Sequence, residues 1–154
     1  MSDFKYFKKL DALDPETQYL AHRATEWLEH AYAPYSKFHV SAAVLLEDGN
    51  IVLGTNQENA AYPAGLCAER LAVFSANAQH PDKKIKKVVI VARKKDQKDL
   101  TPAASCGGCR QVMLESEKRQ GVPFEIVMLS HDHEWVVAPS AASLLPFAFS
   151  KNNL

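Results

Sequence analysis

Apolar positions along the chain follow two periods, and the switches between them mark out the elements. In LDPETQYLAHRATEWLEHAYA (13–33), Leu20, Ala24, Trp27, Leu28 and Ala31 recur at three- and four-residue steps, the stripe of an amphipathic helix. Asp14 is placed to cap its start, Pro15 suits the first turn, Glu16 suits the positive end, and Pro34 stops it. HVSAAVLLEDGNIVLGTN (39–56) carries two apolar runs around Asp48-Gly49-Asn50; Gly and Asn tolerate positive φ, which predicts a hairpin. Helical spacing returns over 66–79, with Leu71, Val73, Phe74 and Ala78 expected inward. KKVVIVAR (86–93) is short and densely β-branched, the composition of a strand covered on both faces. CGGCRQVMLESEKRQG (106–121) predicts a third helix ending at Gly121, FEIVMLS and EWVVAP two further strands, and SAASLLPFAF a brief closing helix with a proline stop.

The predicted order is α-β-β-α-β-α-β-β-α. Strands alternating with helices imply a sheet with parallel portions between helix layers, hence a three-layer α/β/α domain with a mixed sheet of about five strands. A length of 154 residues fits one domain, with 1–13 and 150–154 at its periphery. The lysine-rich stretches 83–87 and 94–98 read as solvated loops. No apolar run approaches a membrane span, and the opening MSDFKYFKKL has no apolar core or cleavage site of a secretory leader. The expected location is the cytoplasm. Lysine plus arginine balance aspartate plus glutamate at 18 each, whereas a nucleic-acid binder carries a basic excess; neither a nucleic acid nor a membrane is an expected partner.

The chain has three cysteines, Cys67, Cys106 and Cys109, and each falls at a predicted helix start. Helix N-termini favour anions and lower thiol pKa values. Three thiolates converging there repel unless a cation lies between them, and zinc accepts sulfur in a tetrahedron. Three protein ligands leave one position open, the mark of a catalytic rather than a structural site. Glu69 stands two residues past Cys67, near enough to take a proton from an acidified water without binding the metal. Taken alone, Cys106-x-x-Cys109 reads as a redox or structural zinc pair as readily as a catalytic one, the redox reading being the weaker; His131 and His133 could close a structural site, and Glu69 alone is an ordinary first-turn glutamate. The combination is far more specific than its parts.

C-x-E followed by a distant C-x-x-C resembles the zinc-dependent cytidine/deoxycytidylate deaminase superfamily. YAPYSKFHVSAAVL (32–45), NQENAAYPAGLCAER (56–70), CGGCRQVM (106–113) and LLPFAF (144–149) narrow the resemblance to the free-nucleoside cytidine deaminases of the small, all-cysteine, homotetrameric class, over about residues 14–150. It implies one Zn2+ per subunit on Cys67, Cys106 and Cys109, with Glu69 as proton shuttle. Asn56 and Glu58 would bond the ribose 3′-hydroxyl, Phe38 would pack on base and sugar, and the Ala68 N–H would bind the pyrimidine carbonyl. Tyr62 and Phe149 would lie at subunit contacts, Phe149 reaching a neighbour's base, and Arg70 would sit beside the thiolates.

Physical chemistry supports part of this. Arg70 can offset the net negative charge that three thiolates leave on a divalent ion. A carboxylate such as Glu58 suits a sugar hydroxyl and repels a 3′-phosphate, favouring a free nucleoside over a polynucleotide. Three positions depart from the resemblance: Ser105 replaces a proline, which predicts a freer loop before Cys106; Ser41 replaces a glycine and Thr55 a cysteine. The implied activity is hydrolytic deamination of cytidine and 2′-deoxycytidine in pyrimidine salvage. Its rivals are deamination of another aminopyrimidine-type compound, a non-catalytic zinc-stabilised binding module, and an RNA-editing deaminase.

Overall fold

The computed structural model describes residues 3–154; Met1 and Ser2, part of the stretch read as carrying no leader, lie outside the described residues. Six strands form one sheet in the order β1-β6-β5-β4-β2-β3. They are β1 (Lys5–Phe7), β2 (Phe38–Leu46), β3 (Ile51–Thr55), β4 (Ile85–Lys94), β5 (Glu125–Leu129) and β6 (Trp135–Ala138). Helices α1 (Pro15–Trp27), α2 (Ala68–Gln79) and α3 (Gly107–Gln120) cover it. β4 and β5 run parallel, with α3 in the crossover between them, while the other neighbours are antiparallel. The α/β/α layering is as expected, but the sheet has six strands rather than five. The added strand is β1, paired to β6 through Lys5↔Val137 and Phe7↔Trp135. Three residues are too few to show a period, and β1 exists because β6 offers an edge. No helix among the described residues is long and apolar enough to cross a membrane.

β2 and β4 explain why the β-branched runs lack polar alternation. Ala42, Val44, Leu46, Val88 and Ile90 pack toward α2 and α3, while Ala43, Leu45, Val89 and Val91 pack toward α1. Both faces of the central strands are dry, so both must be apolar.

The start of α1 is built as the sequence predicts: Pro15 is its first residue and the Asp14 carboxylate accepts the Thr17 N–H at 3.0 Å. Leu20, Ala24 and Leu28 are buried, but Trp27 lies at the rim, its ring stacked on His30 at 4.1 Å. Lys87 is not in a solvated loop. It lies inside β4 and is buried, its Nζ donating to Thr17 Oγ1 at 2.8 Å and lying 3.4 Å from carboxylates of Asp14, Glu16 and Glu125. A buried ammonium so surrounded keeps its charge.

The inward face of α2 also differs from expectation. Ala68, Ala72, Val73 and Ala76 meet the sheet, Leu71 is half-buried, and Phe74 and Ala78 face outward. Small side chains belong on that face because β3 comes very close: a Cβ added to Gly54 would lie 2.6 Å from the Ala72 nitrogen and 2.7 Å from the Ala68 carbonyl oxygen. At the other end, the closing helix is a single 3-10 turn, Ala142–Leu144, because Pro146 bars helical continuation. Gly49 turns the β2–β3 hairpin at φ +89°, and Gly121 ends α3 in the left-handed region.

Candidate active site

α2 and α3 pack together on one face of the sheet, and their first turns carry every cysteine. Cys67 is the N-cap of α2, Cys106 the N-cap of α3, and Cys109 lies in the first turn of α3. Their sulfurs converge, Cys67 to Cys106 at 4.0 Å and Cys106 to Cys109 at 3.3 Å, all three within 4.8 Å of one another. His131 and His133 sit on the turn between β5 and β6 and do not join this group.

Two helix N-termini favour negative charge here, yet three close thiols resist full ionisation. The Cys67 thiol is lowered to about 5, chiefly by a hydrogen bond from Cys109 and, against its burial, by Arg70 and Cys106. The Cys109 thiol is pushed far up by its bond to Cys67 and by burial. The buried Arg70 Nε has no hydrogen-bond partner among the described residues. A divalent, sulfur-binding cation relieves this conflict by taking all three sulfurs as thiolates. The donor set therefore fits zinc, with no fourth protein ligand in the cluster among the described residues.

Glu69, in the first turn of α2, is buried at 4% exposure, and burial raises its carboxyl above the usual range. Its Oε1 accepts the Ser105 hydroxyl at 2.8 Å. The loop before Cys106 lacks the proline but is tied by hydrogen bonds: the Ser105 carbonyl accepts from Arg110 Nε at 2.8 Å, and Arg110 Nη1 donates to the Leu144 carbonyl at 3.1 Å. Hydrogen bonding supplies the restraint that a proline ring would.

A cavity of about 740 Å³ opens beside this cluster. It is lined by Cys67, Ala68, Glu69, Arg70 and Cys106, and also by Phe38, Asn56, Glu58 and Tyr62. Cys109 is buried and does not line the cavity; neither does Phe149. Asn56 also braces the strand beside it. Its Nδ2 donates to the Phe38 carbonyl at 2.8 Å and its Oδ1 accepts the Val40 N–H at 2.9 Å. These bonds fix the strand carrying Phe38 and leave one amide hydrogen and one lone pair for a ligand. Glu58 Oε1 accepts the N–H groups of Tyr35 and Ser36 at 3.1 and 3.2 Å. Against desolvation, hydrogen bonds from Ser36 and Tyr35 hold its carboxyl below the ordinary value, so it stays an acceptor. The Ala68 N–H, first in α2, has no acceptor within the helix. Tyr62 is exposed, its ring edge-on to Tyr35 at 6.4 Å.

Sequence reasoning missed the backbone groups of Tyr35 and Ser36, although both lie in the YAPYSKF run that ends at Phe38. It also missed the contact of Ser105 with Glu69 and the brace from Arg110. No local pattern announces the contacts of Glu58 with Tyr35 and Ser36, of Glu69 with Ser105, or of Arg110 with Leu144, which join segments distant in sequence; only the bond from Arg110 to Ser105 is local.

Comparison with known proteins agrees with this geometry. Residues 14–124 match the family described as "Cytidine and deoxycytidylate deaminase zinc-binding region". A cytidine deaminase of Sporosarcina psychrophila is 42% identical over 126 residues, 82% of this chain and 85% of that protein. One from Halalkalibacterium halodurans is 43% identical over 100 residues, 65% of this chain and 71% of that protein. Among solved structures, a cytidine deaminase from Burkholderia pseudomallei superposes with a TM-score of 0.72 at 37% identity, covering 89% of this chain and 100% of that one. The six-stranded sheet, the three converging thiols and the match across both helix starts carry one conclusion: the chain belongs to the cytidine and deoxycytidylate deaminase family.

Proposed function

We propose that this chain catalyses the hydrolytic deamination of cytidine and 2′-deoxycytidine to uridine and 2′-deoxyuridine, releasing ammonia, in pyrimidine salvage. The observation that carries this reading is one cavity bordered by the sulfur cluster, a buried Glu69 and the Asn56–Glu58 pair. Cys67, Cys106 and Cys109 would hold zinc, which when bound supplies an acidified water as nucleophile.

The remaining roles belong to the chain's own side chains. Glu69 takes a proton from the attacking water and delivers it to N3 of the pyrimidine. C4 becomes tetrahedral. Glu69 then moves the C4 hydroxyl proton to the amino group; the C4–N bond breaks and the carbonyl forms. Arg70 offsets thiolate charge. The Ala68 N–H, at the positive end of α2, receives the pyrimidine carbonyl. Phe38 flanks base and sugar, and Asn56 with Glu58 receives the 3′-hydroxyl. Glu58 is ionised and offers acceptors only, which suits a hydroxyl and opposes a 3′-phosphate. A free nucleoside is favoured over cytosine, another aminopyrimidine or RNA, and the buried carboxylate beside the sulfurs supports a catalyst over a silent zinc module.

Residues 1–154 are read as a single domain, supported by one sheet under every site element. The active form is read as a homotetramer in which Tyr62 and Phe149 meet neighbouring subunits. A cytoplasmic location suits it, because reducing conditions keep three thiols available as ligands.

The test is ultraviolet-monitored turnover of cytidine, 2′-deoxycytidine and cytosine by zinc-loaded protein. Both nucleosides should react and cytosine should not. Equal turnover of cytosine would remove the ribose assignment, and no turnover of any would overturn the nucleoside reading in favour of another aminopyrimidine-type substrate or a silent binding module.

A further inference from the structure

Ser105 ends the loop before α3 and meets Glu69, on α2, across 36 positions of sequence. Its Oγ lies 2.8 Å from Oε1, and both residues are buried, at 2% and 4% exposure. The serine is itself fixed, since Arg110 grips its carbonyl and is anchored in turn on Leu144. A hydroxyl so held is aimed. We propose that Ser105 is a positioning residue for deamination: its hydroxyl fixes Oε1 of Glu69 and leaves the second oxygen to serve the water and the pyrimidine.

The physical need is plain. The terminal torsion of a glutamate is broad and roughly two-fold, so burial alone does not set the plane of its carboxylate. A proton carrier must reach donor and acceptor within hydrogen-bond distance in turn, and small misplacements of a reacting group reduce rate steeply. A hydroxyl bonded to a carboxylate is among the stronger hydrogen bonds a protein makes. At the same position a proline would restrain the backbone but have no donor for Oε1. Here the backbone restraint comes from Arg110, and the side chain is available for Glu69.

This inference rests on the reading of Glu69 as proton carrier, and the experiment separates the two. Zinc-loaded wild type, Ser105→Ala, Ser105→Thr, Ser105→Val and Glu69→Gln are compared. The readouts are kcat and KM for cytidine, zinc content, thermal midpoint, and calorimetric affinity for uridine and for a nucleoside analogue with a tetrahedral, hydroxylated C4. Ser105→Ala should keep its zinc, its melting midpoint and its uridine affinity. Its kcat should fall about tenfold with KM within about twofold, the loss of one transition-state interaction, and the tetrahedral analogue should weaken by a similar factor. Threonine and valine are near-isosteric, so Ser105→Thr should retain most turnover and Ser105→Val should lose it, a comparison that holds even if the alanine variant folds poorly. Wild-type kcat in Ser105→Ala beside an inactive Glu69→Gln would overturn the inference and leave the role of Glu69 standing. Equal turnover of the threonine and valine variants, or a valine variant whose loss of activity tracks its loss of zinc or stability, would also overturn it by making Ser105 merely structural. An active Glu69→Gln would sink the reading of Glu69 itself.

Discussion

Cys106 is the informative place to break the sulfur cluster. Its sulfur lies 4.0 Å from that of Cys67 and 3.3 Å from that of Cys109, and it is exposed whereas Cys109 is wholly buried. Removing Cys109 would confound a lost ligand with a core cavity, but Cys106→Ala deletes a ligand at a surface position. We expect zinc measured by atomic absorption to fall from about one per subunit to a small fraction, with turnover lost and far-UV dichroism retained. Unchanged zinc content would refute the ligand set. The cysteines and Glu69 were legible in the sequence because helix phase alone places positions 67 and 69 at one helix start and 106 and 109 at another. Ser105 was legible only as a missing proline. That its hydroxyl meets Glu69 depends on how two loops are carried to one place by the sheet, and no local period encodes that.

At the scale of elements, the site depends on how deeply α2 settles against β3. Gly54 sets that depth, because any Cβ there would meet Ala72 and Ala68 backbone atoms inside 3 Å. Both contacts are backbone, so no side-chain rotation relieves them. Gly54→Ala must therefore push out the helix whose first turn carries Ala68 and Glu69. Overpacking of this kind destabilises by about 1–3 kcal/mol, and we expect a lowered thermal midpoint together with a fall in kcat/KM larger than the stability loss explains. A variant with both values unchanged would show that α2 is not seated by this glycine. Punctuated elements were the ones legible beforehand: Asp14–Pro15 opened α1, Asp48-Gly49-Asn50 turned the hairpin and Gly121 closed α3. β1 was not, since three residues that form a strand only by borrowing an edge carry no signal of their own. The face of α2 was misjudged at Phe74 and Ala78 because the sheet side demanded alanines, so bulk was a poor guide to burial.

For the molecule as a whole, the exposed aromatic residues bear on assembly. Tyr62 is 80% exposed and Phe149 59%, and Phe74 and Val112 border an open groove between α2 and α3. Phe149 is held at its backbone, where its carbonyl accepts Gln111 Nε2 at 2.9 Å, while its ring stays exposed. An ordered backbone presenting a bare ring suits a contact with another copy. Since Phe149 does not line the cavity of its own protomer, any contact it makes with a base must be in a neighbour's cavity. The homotetramer reading then has a definite consequence. Light scattering should give four times the protomer mass of 17.1 kDa. Phe149→Ala should raise KM for cytidine without loss of zinc, because it removes ring contact and leaves the sulfur cluster intact. Mixing this variant with an excess of Glu69→Gln subunits, after dissociation and reassembly, should restore cytidine affinity at the intact Glu69 sites, since the added subunits bring wild-type Phe149. If the protein scatters as a single protomer at full activity, or if mixing restores nothing, each cavity works alone and the ring of Phe149 serves no neighbour.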